Sequence, residues 1–137
     1  HVIECTGANK DADGNITEVL ATLIPDTKSG TPGSDAVKVK GVITWVGVAD
    51  ALDAEVRMYD RLFLDPQPDA GGKDFIEALN PNSLKVVQAK IEPSLARTRA
   101  DQKFQFERHG YFVADGVDHT EKPVFNLAVG LKDSWGK

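Results

Sequence analysis

An amide and two ionisable side chains recur at every second position, Gln105, Glu107 and His109, interleaved with Phe104 and Phe106. In a β-strand alternate residues share a face, so this spacing sets the polar three on one side and the phenylalanines on the other. An amide presents donor and acceptor together, which suits it to hydrogen-bond the edge of an exposed base. Tyr111 falls on the face of Gln105, where its ring could stack on an unpaired base, while Phe104, Phe106 and Phe112 are expected in the core. The same alternation describes any antiparallel strand with one wet face, and on pattern alone that plainer reading is favoured.

Two other groupings invite chemistry. Glu107 and His109, at i and i+2, could act as an acid/base pair, but no nucleophile accompanies them, and a solvated histidine is the favoured reading. Asp115, Asp118 and His119 offer oxygen and imidazole donors on one short stretch, yet Asp-Gly-Val-Asp-His reads equally as a polar turn, and no metal site is assigned. The chain has no phosphate-binding glycine loop, nucleophile elbow or HExxH motif, so no catalytic residue is assigned either.

The elements around this stretch are mostly strands. Val2–Thr6 and Ile16–Leu23 flank the turn sequence Asp11–Asn15 and predict a hairpin. Ile24–Ala36 reads as a surface loop, and Val37–Val46 alternates as a strand with a bulge at Gly41. Ala49–Leu52 suits a helical turn. Val56, Met58 and Leu62 then alternate with Arg57, Tyr59, Arg61 and Phe63, and Asp60 is expected to pair with a nearby arginine. Leu64–Lys73, with two prolines and two glycines, reads as a long loop before a short helix over Asp74–Leu79, started by Asp74 and stopped by Pro81. Ser83–Glu92 is a further strand, Pro93–Lys103 holds one helical turn, and Val124–Leu131 is the last strand. About seven strands with little helix predict an all-β barrel or sandwich.

Composition bounds the function. At 137 residues and 41% hydrophobic content the chain fits one domain or two small β-modules. Cys5 is the single cysteine, so no intrachain disulfide is available, which favours a reducing, cytoplasmic setting. No apolar run approaches the roughly 20 residues of a membrane span. The first residue is His1, and the chain reads as a piece of a longer protein. The formal charge of −5 argues against nucleic acid, but it is unevenly spread. Residues 1–36 carry six acids against Lys10 and Lys28, whereas Ser83–Arg108 carries six cations against Glu92, Asp101 and Glu107. A local basic face on an acidic body is compatible with that distribution.

Several blocks in one order carry a resemblance. They are Lys-Asp-Ala-Asp-Gly-Asn-Ile-Thr (10–17), Val-Lys-Gly-Val-Ile-Thr-Trp-Val (39–46), Tyr-Asp-Arg-Leu-Phe (59–63), Glu-Pro-Ser-Leu (92–95), Phe-Gln-Phe-Glu-Arg (104–108), Gly-Tyr-Phe (110–112), Glu-Lys-Pro-Val-Phe-Asn (121–126) and Val-Gly-Leu-Lys-Asp-Ser-Trp (129–135). Together they make the chain resemble, nearly end to end, the C-terminal anticodon-binding region of bacterial glutaminyl-tRNA synthetases.

The resemblance implies Greek-key β-barrels of the class I Glu/Gln-tRNA synthetase type with short helices in the connections, divided into sub-barrels over 1–55 (distal) and 56–137 (proximal). It implies glutamine tRNA, through its anticodon loop, and the catalytic half of the same synthetase as partners, with no membrane and no DNA. ATP and Mg would serve the parent enzyme, whose His-Ile-Gly-His and Lys-Met-Ser-Lys-Ser type signatures are absent here, so this fragment needs no cofactor of its own. Within Phe-Gln-Phe-Glu-Arg, Gln105 inherits the role of reading the central anticodon uridine and Arg108 that of contacting the neighbouring nucleotide or phosphate, with Glu107 orienting a cation and Tyr111 supporting. Lys132 is a further RNA-binding candidate. The loop from Leu64 to Pro81 resembles the segment that reaches back towards the catalytic half. Leu127, Lys132 and Ser134 stand where the family commonly has arginine, arginine and threonine. The alternative is a glutamyl-type synthetase tail, or a β-barrel interaction module, that keeps the fold without the anticodon contact. Arg108 poses a geometric problem, because an unbroken strand would point it to the phenylalanine side, and a bulge or twist must bring it to the RNA.

Overall fold

The computed structural model describes residues 1–132. Seven strands account for most of its regular structure, and the helical pieces are three short 3-10 turns. The chain divides into two compact units, His1–Ile43 and Thr44–Lys137. The boundary expected between residues 55 and 56 lies inside a strand.

In the first unit β1 (Val2–Lys10) and β2 (Ile16–Ile24) form an antiparallel hairpin. Its turn is built by Asp11, whose Oδ1 accepts the N–H groups of Asp13 and Asn15 at 3.0 and 2.8 Å. Gly14 supplies the positive φ of 85° that the reversal requires. The following loop is tied back by Thr27, which is 5% exposed. Its hydroxyl accepts from Val2 N–H at 2.8 Å and donates to the Ile24 carbonyl at 2.6 Å.

The second unit is a five-stranded sheet in the order β4-β3-β7-β6-β5, from β3 (Leu52–Tyr59), β4 (Leu84–Ile91), β5 (Lys103–Phe106), β6 (Gly110–Ala114) and β7 (Val124–Val129). Three antiparallel pairings and one parallel pairing, β3 with β7, hold it. One face carries Ala54, Val56, Ile91, Phe112, Ala114 and Phe125, all buried, with Phe104, Phe106 and Leu127 packed against them. Phe125 has no exposed surface and meets Phe104 and Phe106 edge-on, at 5.8 and 5.2 Å between ring centres.

Two expectations about strands are corrected. Val37–Val46 is not a strand: it alternates, but it forms no ladder with any strand among the described residues, and Val39, Val42, Ile43 and Trp45 remain more than half exposed. The stretch from Phe104 to Phe112 is two strands rather than one. In a continuous strand Phe106 and Phe112 would stand about 20 Å apart. The hairpin instead stacks them at 4.7 Å, and the gain in apolar contact favours the fold-back. Gly110 makes it possible: its φ is 148°, and a Cβ there would lie 2.9 Å from the Val129 carbonyl oxygen. The strand count therefore agrees with seven while two of its members differ.

The connections match their sequence signals. Asp74 accepts the Ile76 N–H at 3.0 Å and starts the 3-10 turn Phe75–Ala78. Pro93 opens another over Pro93–Arg97. Replacing Phe125 by alanine removes the ring on which Phe104 and Phe106 converge. It should cost about 3–5 kcal/mol, read as a lower urea midpoint with an unchanged slope.

Candidate nucleic-acid interface

β5 is short because Phe106 begins a tight reversal. The His109 N–H donates to the Phe106 carbonyl at 2.9 Å, and Arg108 adopts a φ of 67°. A left-handed conformation is unfavourable for a side chain with a Cβ, by roughly 1–2 kcal/mol. It ends the strand and puts Glu107, Arg108 and His109 on an exposed turn. The problem posed by strand parity disappears: Arg108 belongs to neither face of the sheet. Glu107 and His109 likewise share no strand face, so the geometry behind an acid/base pair is absent.

Gln105 and Tyr111 are brought together. They are cross-strand partners in the β5–β6 pair, and Tyr111 is in turn opposite Val129 of β7. Directly opposed residues point to the same side, so Gln105, Tyr111 and Val129 form a row across three strands on the face away from the phenylalanines. Tyr111 is 45% exposed and Gln105 is exposed. Lys103 lies on the same face one row along, opposite Val113. Lys132 is exposed three residues beyond the end of β7. Leu127 sits on the other side, opposite Phe112 and against the core. Ser134 lies outside the described residues.

The polar face also holds an ion-pair network whose centre the sequence reading missed. Arg57 on β3 donates to Glu55 at 2.9 Å, to Asp115 at 3.3 Å and to Asp118 at 2.6 Å. Lys122 reaches Glu55 at 3.3 Å, and the Asn126 amide donates to Asp115 at 2.6 Å. The signal was available: Glu55 and Arg57 share a strand face at i and i+2, and acids cluster at 115 and 118. The arginine pairing expected at Asp60 does not form, since its carboxylate accepts the Arg61 N–H at 2.7 Å.

These contacts set the charges. The Asp118 and Val117 N–H groups and the Asn126 amide hold the Asp115 carboxyl down at about 2, the Asp118 N–H contributing most. Arg57 and Lys122 keep Glu55 below the ordinary glutamate range. Asp118 and Glu55 in turn stabilise the Arg57 cation.

His119 works on the backbone. Nδ1 accepts the Val124 N–H at 3.2 Å, Nε2 lies 3.2 Å from the Thr98 carbonyl, and the ring stands edge-on to Phe125. Asp115 and Asp118 thus serve the Arg57 network, and His119 serves the backbone. Among the described residues no group of three acid, histidine or cysteine side chains is placed to hold a metal ion.

The exposed amide of Gln105 lies beside Tyr111, and the turn at the strand ends carries Arg108 next to Glu107. Comparison with known proteins is more specific. Residues 42–115 match the family model described as the anti-codon binding domain of class I tRNA synthetases (E and Q). The chain belongs to that family of synthetase anticodon-binding domains. It is 69% identical to a glutamine–tRNA ligase of Ralstonia pickettii and 66% identical to one of Cupriavidus taiwanensis, in each case over the whole of this chain and 24% of the relative. A third, from Bordetella avium, is 60% identical over 98% of this chain and 23% of the relative. The chain thus spans about a quarter of the length of the curated relatives it matches. No helix among the described residues is long and apolar enough to cross a membrane.

Two predictions follow from this geometry. Arg108→Gly should raise stability by about 1 kcal/mol by relieving the left-handed backbone, read as a higher urea midpoint, whereas Arg108→Ala should not. The Asp115 carboxylate, near 2 in the fold against about 3.9 in an unfolded chain, contributes stability that is full above about pH 4 and lost as pH falls through 2. The melting-temperature gap between the native chain and Asp115→Asn should therefore be widest at neutral pH and narrow below pH 4. A gap independent of pH would contradict the assignment.

Proposed function

We propose that the chain is the anticodon-binding region of a glutamine–tRNA ligase and that it recognises the anticodon loop of glutamine tRNA. The ATP-dependent joining of glutamine to that tRNA, with its Mg, is assigned to the rest of the parent enzyme in the cytoplasm. The observation that carries this reading is the exposed pair Gln105 and Tyr111, side by side across β5 and β6 and next to the Arg108 turn. In it, Gln105 presents its amide to the Watson–Crick edge of the central uridine while Tyr111 supports the base. Arg108, at the tip of the turn, provides a permanently charged fork for the neighbouring nucleotide or phosphate, and Glu107 beside it orients that cation. Lys132 adds a phosphate contact at the same end of the sheet.

Two finer points belong to the same proposal. The open sheet is part of a Greek-key barrel in the parent protein. Residues 64–81 face the catalytic half. Their exposed Leu64, Phe75, Ile76 and Leu79, and an open hollow of about 490 Å³ bordered by Asp65, Lys73, Asp74 and Glu77, support a protein-facing role.

Binding of a glutamine-tRNA anticodon stem-loop to the full-length synthetase, measured across salt concentration, tests the reading. Gln105→Ala should weaken binding about tenfold or more at every salt concentration. Arg108→Ala should weaken it and reduce the slope of log affinity against log salt by about one. If neither substitution weakens the complex, the site is wrongly assigned.

A further inference from the structure

The row that begins at Gln105 is paired as far as Val129. β7 runs parallel to β3, and their pairing ends with Arg57 opposite Asn126, two residues before Tyr59 on β3 and Ala128 on β7. Tyr59 is itself opposite Leu84 on β4. The exposed face therefore carries one paired row, Gln105, Tyr111 and Val129 on β5, β6 and β7, and a second, Tyr59 and Leu84 on β3 and β4, with β3 and β7 ending on the same side of the sheet. Tyr111 and Tyr59 are each 45% exposed, Leu84 is 45% and Val129 58%. Two tyrosines two strands apart are separated by about 10 Å, enough for each to hold a different base.

The border of these rows is charged with one sign in excess. β5, β7 and β3 all end on the same side of the sheet, and just past those ends stand the exposed cations Arg108, Lys132 and Arg61 against the exposed acids Glu107 and Asp60. None of the ion pairs among the described residues engages Arg61 or Arg108, in contrast to Arg57, which is consumed by three carboxylates. Rings on one face, with free cations along one edge, are what an unpaired strand needs: a stacking surface for bases and counter-charges for phosphates.

We propose that Tyr59 is a second base platform, so that a single-stranded RNA path crosses the sheet from the Gln105 subsite to Tyr59, with Arg61 on its phosphate side. The inference rests on the reading of Gln105 given above and extends it to a second nucleotide of the same loop. Tyr59 supplies a ring plane and no base-edge contact, so it contributes affinity without sequence preference.

The test uses the full-length synthetase and an anticodon stem-loop RNA carrying 2-aminopurine at successive loop positions other than the one read by Gln105. Tyr59→Ala and Tyr59→Leu, the latter keeping apolar bulk and the fold, should each weaken binding about tenfold, while Tyr59→Phe stays within about twofold. One 2-aminopurine position should be quenched on binding, with the quench lost in Tyr59→Leu and kept in Tyr59→Phe. If Tyr59→Leu binds like the parent while Gln105→Ala binds weakly, the second platform is refuted and the Gln105 reading stands. If both bind like the parent, the reading itself fails. A loss of melting temperature in Tyr59→Leu with RNA affinity unchanged would mean that protein covers the row, and would also overturn the inference.

Discussion

Phe125 below and Arg57 above hold β3 against β7, and the architecture of the larger unit depends on that parallel register. Val56 lies opposite Phe125 and Arg57 opposite Asn126. This is the one strand pairing, among the described residues, that joins the β3–β4 pair to the β5–β6–β7 meander. Apolar packing supplies the attraction on one face, where a fully buried ring meets two other phenylalanines and an imidazole. On the other face a guanidinium shared by Glu55, Asp115 and Asp118 specifies the register, because a slip of one residue would carry Arg57 to the apolar side. The same parallel orientation brings the ends of β3 and β7, with Tyr59 the last residue of β3, to one side of the sheet.

The distribution of charge resolves the apparent conflict between an acidic chain and an RNA partner. Arg57, the cation with the most acidic neighbours, is committed to the fold. Arg61 and Arg108 sit at the strand ends without ion-pair partners among the described residues. Six of the acids lie in residues 1–36 and three, Glu55, Asp115 and Asp118, bind Arg57, while Glu107 and Asp60 stand next to Arg108 and Arg61 in the chain. A net charge of −5 is compatible with a small cationic margin, since phosphate contacts respond to local potential within a Debye length of roughly 8–10 Å.

Much of this was legible in the sequence, for definable reasons. The β-rich character followed from period-two alternation, and the turn at Asp11–Asn15 and the start at Asp74 followed from side chains that bond their own backbone. The parity of Gln105 and Tyr111 was readable too, although the hairpin between them was not. Alternation continues unchanged through a three-residue reversal, so Phe104–Phe112 looks like one strand. The cue that was passed over is Gly110 behind Arg108 and His109. Val37–Val46 shows the converse limit: pattern describes a residue's two faces but not whether a partner edge exists. The Arg57 network required contacts about 60 residues apart in sequence, which no local pattern encodes.

The central claim is that Gln105, exposed beside Tyr111, reads one base of the anticodon. A double-mutant cycle between protein and RNA tests it most directly, with Gln105→Ala on the full-length synthetase and uridine→cytidine at the middle anticodon position. The account predicts that each change alone weakens binding and that the two together are less than additive, with a coupling of about 1–3 kcal/mol. Strict additivity, in which Gln105→Ala costs the same on either RNA, would contradict it.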